Sequence, residues 1–176
     1  MDGILRGGNK EILLEVEGMG KRLSEMTLEE LWQLFPIQLV EHREEWAEHY
    51  REMEEILRKR LKGYNIVRIS HIGSTAVKEI WAKPIVDILL EIAPGEAMNR
   101  VAAGIAKAGF MKMSESEKRM SFQSGYTETG FAEKVYHLHL RYAGDNDELY
   151  FRDYLKDNLS AAREYEQKKL ELWRMY

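Results

Sequence analysis

His137 and His139 stand two positions apart in the alternating segment 134–142, KVYHLHLRY. On a strand such positions share a face, so both imidazoles point the same way, and Arg141 continues that face. Paired imidazoles can serve as metal ligands, phosphate contacts or acid–base groups. They are equally at home as ordinary polar side chains on a wet sheet face. A second constellation runs strand, Gly73-Ser74-Thr75, short helix, strand, Asp87. A Gly-Ser turn at a helix start offers backbone N–H groups, a hydroxyl and the positive helix end, all of which favour phosphate. Gly73 lets a ligand approach the backbone closely. Asp87 interrupts the apolar run 84–92, PIVDILLEI. Burying a carboxylate there is costly unless it is paired or bound to metal. Lys83 is one available partner, and a Mg²⁺ held by a phosphate is another.

Other side chains suit structural roles. His71, on the strand leading into the turn, reads as a packed histidine, and His42 and His49 as surface residues. The aromatics of 149–155, LYFRDYL, read as docking a helix on the sheet, with Arg152 and Asp153 in a local charge network. Trp32, Trp81 and Trp173 are assigned to the core or an interface. No Gly-x-Ser-x-Gly elbow, His-Glu-x-x-His, Walker A loop or dinucleotide fingerprint is present.

The elements that must position these groups follow from periodicity. Thr27-Leu28-Glu29-Glu30 is a capping box, so a short helix precedes Pro36. Residues 36–40 read as extended. Trp46, Tyr50, Met53, Leu57 and Leu61 step by three and four and predict an amphipathic helix over 44–61, capped near Gly63. Residues 65–72 alternate as a half-buried strand. Residues 76–82 predict one or two helical turns, and 84–92 a buried central strand. Pro94-Gly95 turns the chain into a helix over 96–108. Strands are expected at 110–113, 119–123 and 134–142, with 114–118 as a hairpin loop. A helix from 145 to about 156 is interrupted near Asn158 and resumes over 161–173. Residues 12–16 form a strand or a helical turn, broken at 18–20. The order of elements predicts an α+β domain with a small mixed β-sheet flanked by helices. It occupies residues 26–176, behind an N-terminal extension of residues 1–25.

Composition narrows the classes. The chain has 176 residues, enough for one self-sufficient core. It has no Cys, which removes disulfides, cysteine nucleophiles and thiolate metal sites. With 26 basic and 30 acidic residues the net charge is -4, against a protein that coats DNA. No stretch is long and apolar enough for a transmembrane helix, and residues 1–10 lack the apolar segment of a signal peptide. A cytoplasmic location is the expectation.

Residues 69–92, ISHIGSTAVKEIWAKPIVDILLEI, resemble the signature of the GrpB family. Residues 131–155, FAEKVYHLHLRYAGDNDELYFRDYL, resemble its second block, and 36–57 its opening. The family is predicted to belong to the nucleotidyltransferase superfamily, and its members often continue into a longer helical tail. The resemblance therefore implies a nucleotidyltransferase-like fold in which a Gly-Ser turn holds nucleotide phosphates. It also implies strand carboxylates that hold Mg²⁺ or Mn²⁺. Gly73 and Ser74, with Thr75 and Lys83, would contact phosphate, with Arg141 opposite. Asp87 would hold metal, and His137 and His139 would serve as acid–base groups. One position departs from the pattern. The second acidic residue expected two positions after Asp87 is Leu89, which leaves Glu91, two further along, as the remaining carboxylate.

Two readings result. In the first, a nucleotide or other phosphorylated small molecule binds with a divalent metal, and a nucleotidyl group passes to an acceptor the sequence does not name. In the second, the chain is a binding or protein-interaction module that kept the fold without the second metal-binding carboxylate. Either reading allows a homo-oligomer.

Overall fold

The computed structural model describes residues 21–175. The apolar stretch 12–16 and the break at 18–20, and with them most of the extension 1–25, lie outside the described residues. After a 3-10 turn at Leu23–Glu25, the chain forms helix α1 (Leu28–Leu34) and helix α2 (Glu45–Arg60). Strand β1 (Ile66–Ile72), a 3-10 turn (Ser74–Ala76) and strand β2 (Val86–Ile92) follow. Helix α3 (Met98–Lys107) leads to β3 (Met111–Glu115), β4 (Arg119–Thr127) and β5 (Gly130–Tyr142). Helices α4 (Asp147–Asp157) and α5 (Leu159–Met175) complete the described chain.

The five strands form one mixed sheet in the order β1-β2-β5-β4-β3. Only the central pair, β2 with β5, is parallel. Its register sets Asp87 opposite His137, Leu89 opposite His139 and Glu91 opposite Arg141. Strand periodicity divides these residues between two faces. Val86, Ile88 and Leu90 of β2 and Tyr136, Leu138 and Leu140 of β5 join α2 and α3 in the main core. Ile88, Leu90, Leu138 and Leu140 are fully buried, each contributing about 1.5–3 kcal/mol by burial. The opposite face carries Asp87, Leu89 and Glu91 beside His137, His139 and Arg141. Helix α4 covers part of it, where Leu149 packs on Leu89 and Ile72.

Local chemistry explains several boundaries. Thr27 Oγ1 accepts the Glu30 N–H at 3.2 Å, and Glu30 Oε2 accepts the Thr27 N–H at 2.8 Å, so the capping box starts α1 as expected. Trp46, Met53 and Leu57 bury one stripe of α2, and Arg58 pairs with Glu54 at 2.6 Å on its wet side. Asn158 ends α4, its side-chain amide donating to the Tyr154 carbonyl.

Other expectations are corrected. Residues 76–82 do not make further helical turns. The 3-10 turn stops at Ala76, and Ala82 instead bridges Val40, the last residue of the segment read as extended. The strands around the first hairpin extend to Glu115 and from Arg119, which shortens the loop between them. The aromatics of α4 do not dock the helix on the sheet: Tyr150, Phe151 and Tyr154 are exposed, Phe151 meeting Tyr165 of α5 edge-on, and Leu149 and Leu155 are the buried residues. Of the tryptophans assigned to the core or an interface, Trp32 and Trp173 are exposed, which removes the core alternative for these two. His42 is half-buried against the edge of Trp46, not a surface residue.

Candidate functional site

Asp87 sits one residue into β2, with His137 directly across on β5 and His139 two residues farther along. One oxygen of Asp87, Oδ1, lies 3.4 Å from His137 Nδ1 and 3.8 Å from His139 Nε2. The three side chains keep 28% to 35% of their surface open to solvent. Burial pushes the Asp87 carboxyl up, but the two imidazoles outweigh it and hold the group below its ordinary value. The structure therefore brings together the three residues expected to do chemistry, and the imidazoles rather than Lys83 pair with Asp87.

Gly73 closes one side of this cluster. Its φ is 71°, in the region that favours glycine. A Cβ placed there would overlap Asp87 Oδ2 and stand 3.0 Å from its Cγ. The missing side chain is thus the space that Asp87 occupies. The turn that follows is only three residues long, so it supplies no extended helix dipole of the kind expected for a phosphate cradle. What remains is the Ser74 hydroxyl, which accepts a hydrogen bond from Lys169 Nζ of α5 at 3.0 Å. Thr75 does not face the site. It is buried, and its hydroxyl hydrogen-bonds His71 Nε2 at 2.9 Å.

Tyr126 closes another side. Its ring stacks on His137 with centroids 5.9 Å apart, and its hydroxyl lies 2.8 Å from His137 Nε2. With Nδ1–H directed at Asp87, Nε2 accepts the Tyr126 proton, giving a chain Asp87–His137–Tyr126. The neighbouring residues Met120 and Phe122 face the main core, and Tyr126 has the same parity. It reaches the opposite face because the register slips. Ser124 to Tyr126 is two steps on β4, whereas their partners Tyr136 and Phe131 are five apart on β5. Gly125, at φ 88°, sits in the slip.

Three expected site residues are placed elsewhere. Glu91 lies four residues beyond Asp87, roughly 13 Å along the strand. Its carboxylate accepts from Arg68 Nε at 2.6 Å, Asn146 Nδ2 at 2.9 Å and the Gly144 N–H at 3.3 Å. Burial opposes that charge, and these three donors outweigh it and hold the carboxyl below its ordinary value. Glu91 is a structural carboxylate that ties β1 and the β5–α4 connection to β2. Arg141, also buried, pairs with Glu148 at 3.0 Å and faces Asp145 at 3.7 Å, so it does not line the other side of the site. Lys83 is exposed, near enough to Lys169 for their charges to interact.

This placement bears on metal. Paired ions about 3.5–4 Å apart need bridging acidic ligands. Leu89 at the second acidic position is fully buried under α4, and the oxygens of Glu91 are taken. Among the described residues, no group of three or more His, Asp or Glu side chains is arranged to hold a metal ion. The residues present do not fit a resident pair of Mg²⁺ or Mn²⁺ ions.

Tyr126 and Lys169 were not marked by sequence reasoning. Tyr126 needs the register slip to be found, and Lys169 lies in a charged helix 95 residues from the hydroxyl it bonds. His71, read as structural, is so. It stacks on Tyr50 of α2 on the main-core side of the sheet, with centroids 4.9 Å apart. Burial lowers its pKa to about 4. A cleft of 630 Å³ lined by Glu44, Glu48, Tyr50, Arg51, His71 and Lys78 opens there, away from Asp87.

The sequence profile of the GrpB protein family matches residues 36–176. The chain belongs to the GrpB family. It is 32% identical over 146 residues to glutamate-rich protein GrpB of Alkalihalophilus pseudofirmus, covering 78% of this chain and 82% of that protein. It is 31% identical over 150 residues to UPF0157 protein YqkA of Bacillus subtilis, covering 81% of this chain and 42% of YqkA. A UPF0157 protein of Pseudomonas aeruginosa is 34% identical over 134 residues, covering 74% of this chain and 54% of that protein. The chain thus spans about half the length of these last two relatives. The crystal structure of GrpB from Enterococcus faecalis superposes with a TM-score of 0.66 at 26% identity, over 78% of this chain and 84% of that one. The mixed sheet flanked by helices is therefore the GrpB fold. The names of these relatives state no activity.

Proposed function

We propose that this GrpB chain binds a phosphorylated small molecule, with nucleotides as the first class to test, on the face formed by Gly73, Ser74, Asp87, His137 and His139. We further propose that it does so as a binding module rather than as a two-metal nucleotidyltransferase. The observation that carries this reading is the single carboxylate flanked by two partly exposed imidazoles, with the second acidic position filled by a buried leucine. The His139 imidazole and the Ser74 hydroxyl are the anion contacts, while His137, committed to Asp87 and Tyr126, is held in place beside them. A second reading, acid–base or nucleotidyl transfer, is favoured by the Asp87–His137–Tyr126 chain, since an oriented imidazole is the usual form of a general base.

Thermal unfolding with nucleotides and inorganic phosphates, with and without Mg²⁺ or Mn²⁺, separates these readings. A ligand at 100 times its Kd stabilises the fold by about 2.7 kcal/mol. The binding reading expects a metal-independent rise in Tm that is lost in His139→Ala and kept in Asp87→Asn. A rise that requires the metal and disappears in Asp87→Asn would establish the transferase reading. No rise with any phosphorylated compound would overturn both.

A further inference from the structure

Lys169 is an unusual lysine. It lies on α5, and its Nζ reaches the Gly73–Ala76 turn, donating to Ser74 Oγ at 3.0 Å and to the Trp81 carbonyl at 2.5 Å. The ammonium also sits 5.1 Å from the centre of the Tyr165 ring. Every one of these partners is neutral. Among the described residues Lys169 has no carboxylate within ion-pair distance. Glu166, one helical turn earlier, turns its Oε1 to the Trp81 N–H instead, at 2.6 Å. Lys83 adds a second positive charge nearby. Burial lowers the pKa of Lys169 to about 8, with Lys83 pushing the same way and Glu166 opposing. Holding a half-buried cation against neutral acceptors is unfavourable unless something is gained. A bound anion at Ser74 would supply the missing countercharge.

We propose that Lys169 is a direct ligand of the bound anion, donating to a phosphate oxygen at the Ser74 hydroxyl, so that α5 completes the site begun by β1, β2 and β5. The ammonium then bridges Ser74 and the phosphate, and the ligand connects α5 to the Asp87 face. This assignment rests on the phosphorylated-ligand reading above and names the residue that supplies its positive charge. The ligand class narrows accordingly to dianionic phosphate or polyphosphate groups, since Lys169 and the exposed Lys83 together offer two positive charges beside a neutral hydroxyl.

Calorimetric titration of inorganic pyrophosphate and of ATP tests this, using wild type, Lys169→Met, Lys169→Arg and Glu166→Ala. Losing a charged hydrogen bond to phosphate weakens affinity by about 10-fold or more, so Lys169→Met is expected to lose at least that much. Lys169→Arg is expected to recover most of it. Glu166→Ala loosens the anchor of α5 on Trp81 but keeps the Lys169 ammonium, so it should lose far less affinity than Lys169→Met. Circular dichroism confirms that each variant is folded. The groups facing Lys169 are Glu166 and Tyr165 on α5 and Lys83 and Ser74 on the sheet side. Wild-type affinity should therefore fall as pH rises past Lys169's titration range, and Lys169→Arg should flatten that fall. Unchanged affinity in a folded Lys169→Met, with wild type and His139→Ala differing, overturns the role of Lys169 alone. Equal losses in Lys169→Met and Glu166→Ala reduce it to helix docking and overturn it as well. Absence of binding to wild type overturns both this inference and the function on which it rests.

Discussion

Asp87 and Gly73 are one structural decision made at two positions. The carboxylate can stand beside both imidazoles only because residue 73 has no side chain where Oδ2 lies and because its backbone adopts φ 71°. Both requirements fall on the same residue. Gly73→Ala is expected to destabilise the fold by about 2 kcal/mol or more, since it combines a left-handed alanine with an overlap against a charged group. Urea unfolding measures this. Gly73→Ala with Asp87→Gly should recover part of the loss by removing the overlapped carboxylate, whereas Gly63→Ala, at a glycine with open space around it, should show only the smaller cost of its backbone. Equal costs at positions 63 and 73 would show that the close approach to Asp87 contributes nothing.

The register slip between β4 and β5 converts a core-facing position into a site-facing one. Gly125 permits it: a Cβ there would overlap the Lys134 carbonyl and stand 2.9 Å from Val135 Cα. Gly125→Ala should therefore do more than destabilise. It should detach Tyr126 from His137, shifting the His137 ring signals in an NMR spectrum while leaving those of His71, on the opposite side of the sheet, in place. Unmoved His137 signals in a folded variant would mean that the slip does not depend on Gly125. The same slip explains what sequence reading could and could not reach. Strict alternation in 134–142 placed His137 and His139 on one face, and the position of Asp87 in an apolar run marked it as a carboxylate with a partner. Helix α2 was readable because its apolar stripe has a 3.6-residue period. Tyr126 was not readable, because alternation assigns it to the wrong face unless three extra residues on β5 are known. Nor was the structural role of Glu91, whose partners Arg68 and Asn146 come from a neighbouring strand and a distant loop. The α4 aromatics misled for another reason: large apolar rings are the usual anchors of a helix, and here Leu149 and Leu155 already fill the contact.

The whole fold carries a dependence on acid that follows from which groups stay charged. His71 is held neutral, with its pKa lowered by burial from 6.5 to about 4. Between those values the unfolded chain takes up a proton that the folded chain refuses. Stability is therefore complete above pH 6.5 and falls as pH drops toward 4, by about 3 kcal/mol in total. Asp87 and Glu91 are held charged where His71 is held neutral, yet they add to the trend. Their carboxyls lie below the ordinary values of 3.8 and 4.5, so the stability they lend is present above those values and is lost only as pH falls further. Acid unfolding should accordingly proceed in two stages. Replacing His71 by Phe keeps a ring against Tyr50 and removes the titrating group. Urea unfolding of His71→Phe at pH 7, 5 and 4 should show a lower stability at pH 7, since Thr75 loses its partner, and a flatter slope down to pH 4. A slope equal to that of wild type would assign the first stage to other groups.

Leu89 sets a barrier of another kind. It stands where the nucleotidyltransferase resemblance would put a second acid, and it is the floor on which Leu149 seats α4. A carboxylate there would enter the dry contact between Leu149 and Ile72, and it would lift the helix whose partner α5 brings Lys169 to the turn. A change toward two-metal chemistry would thus pull Lys169 away from Ser74 before it gained an ion. The packing works as a ratchet, and an evolutionary path from this chain to a two-metal enzyme would have to rebuild the underside of α4 first.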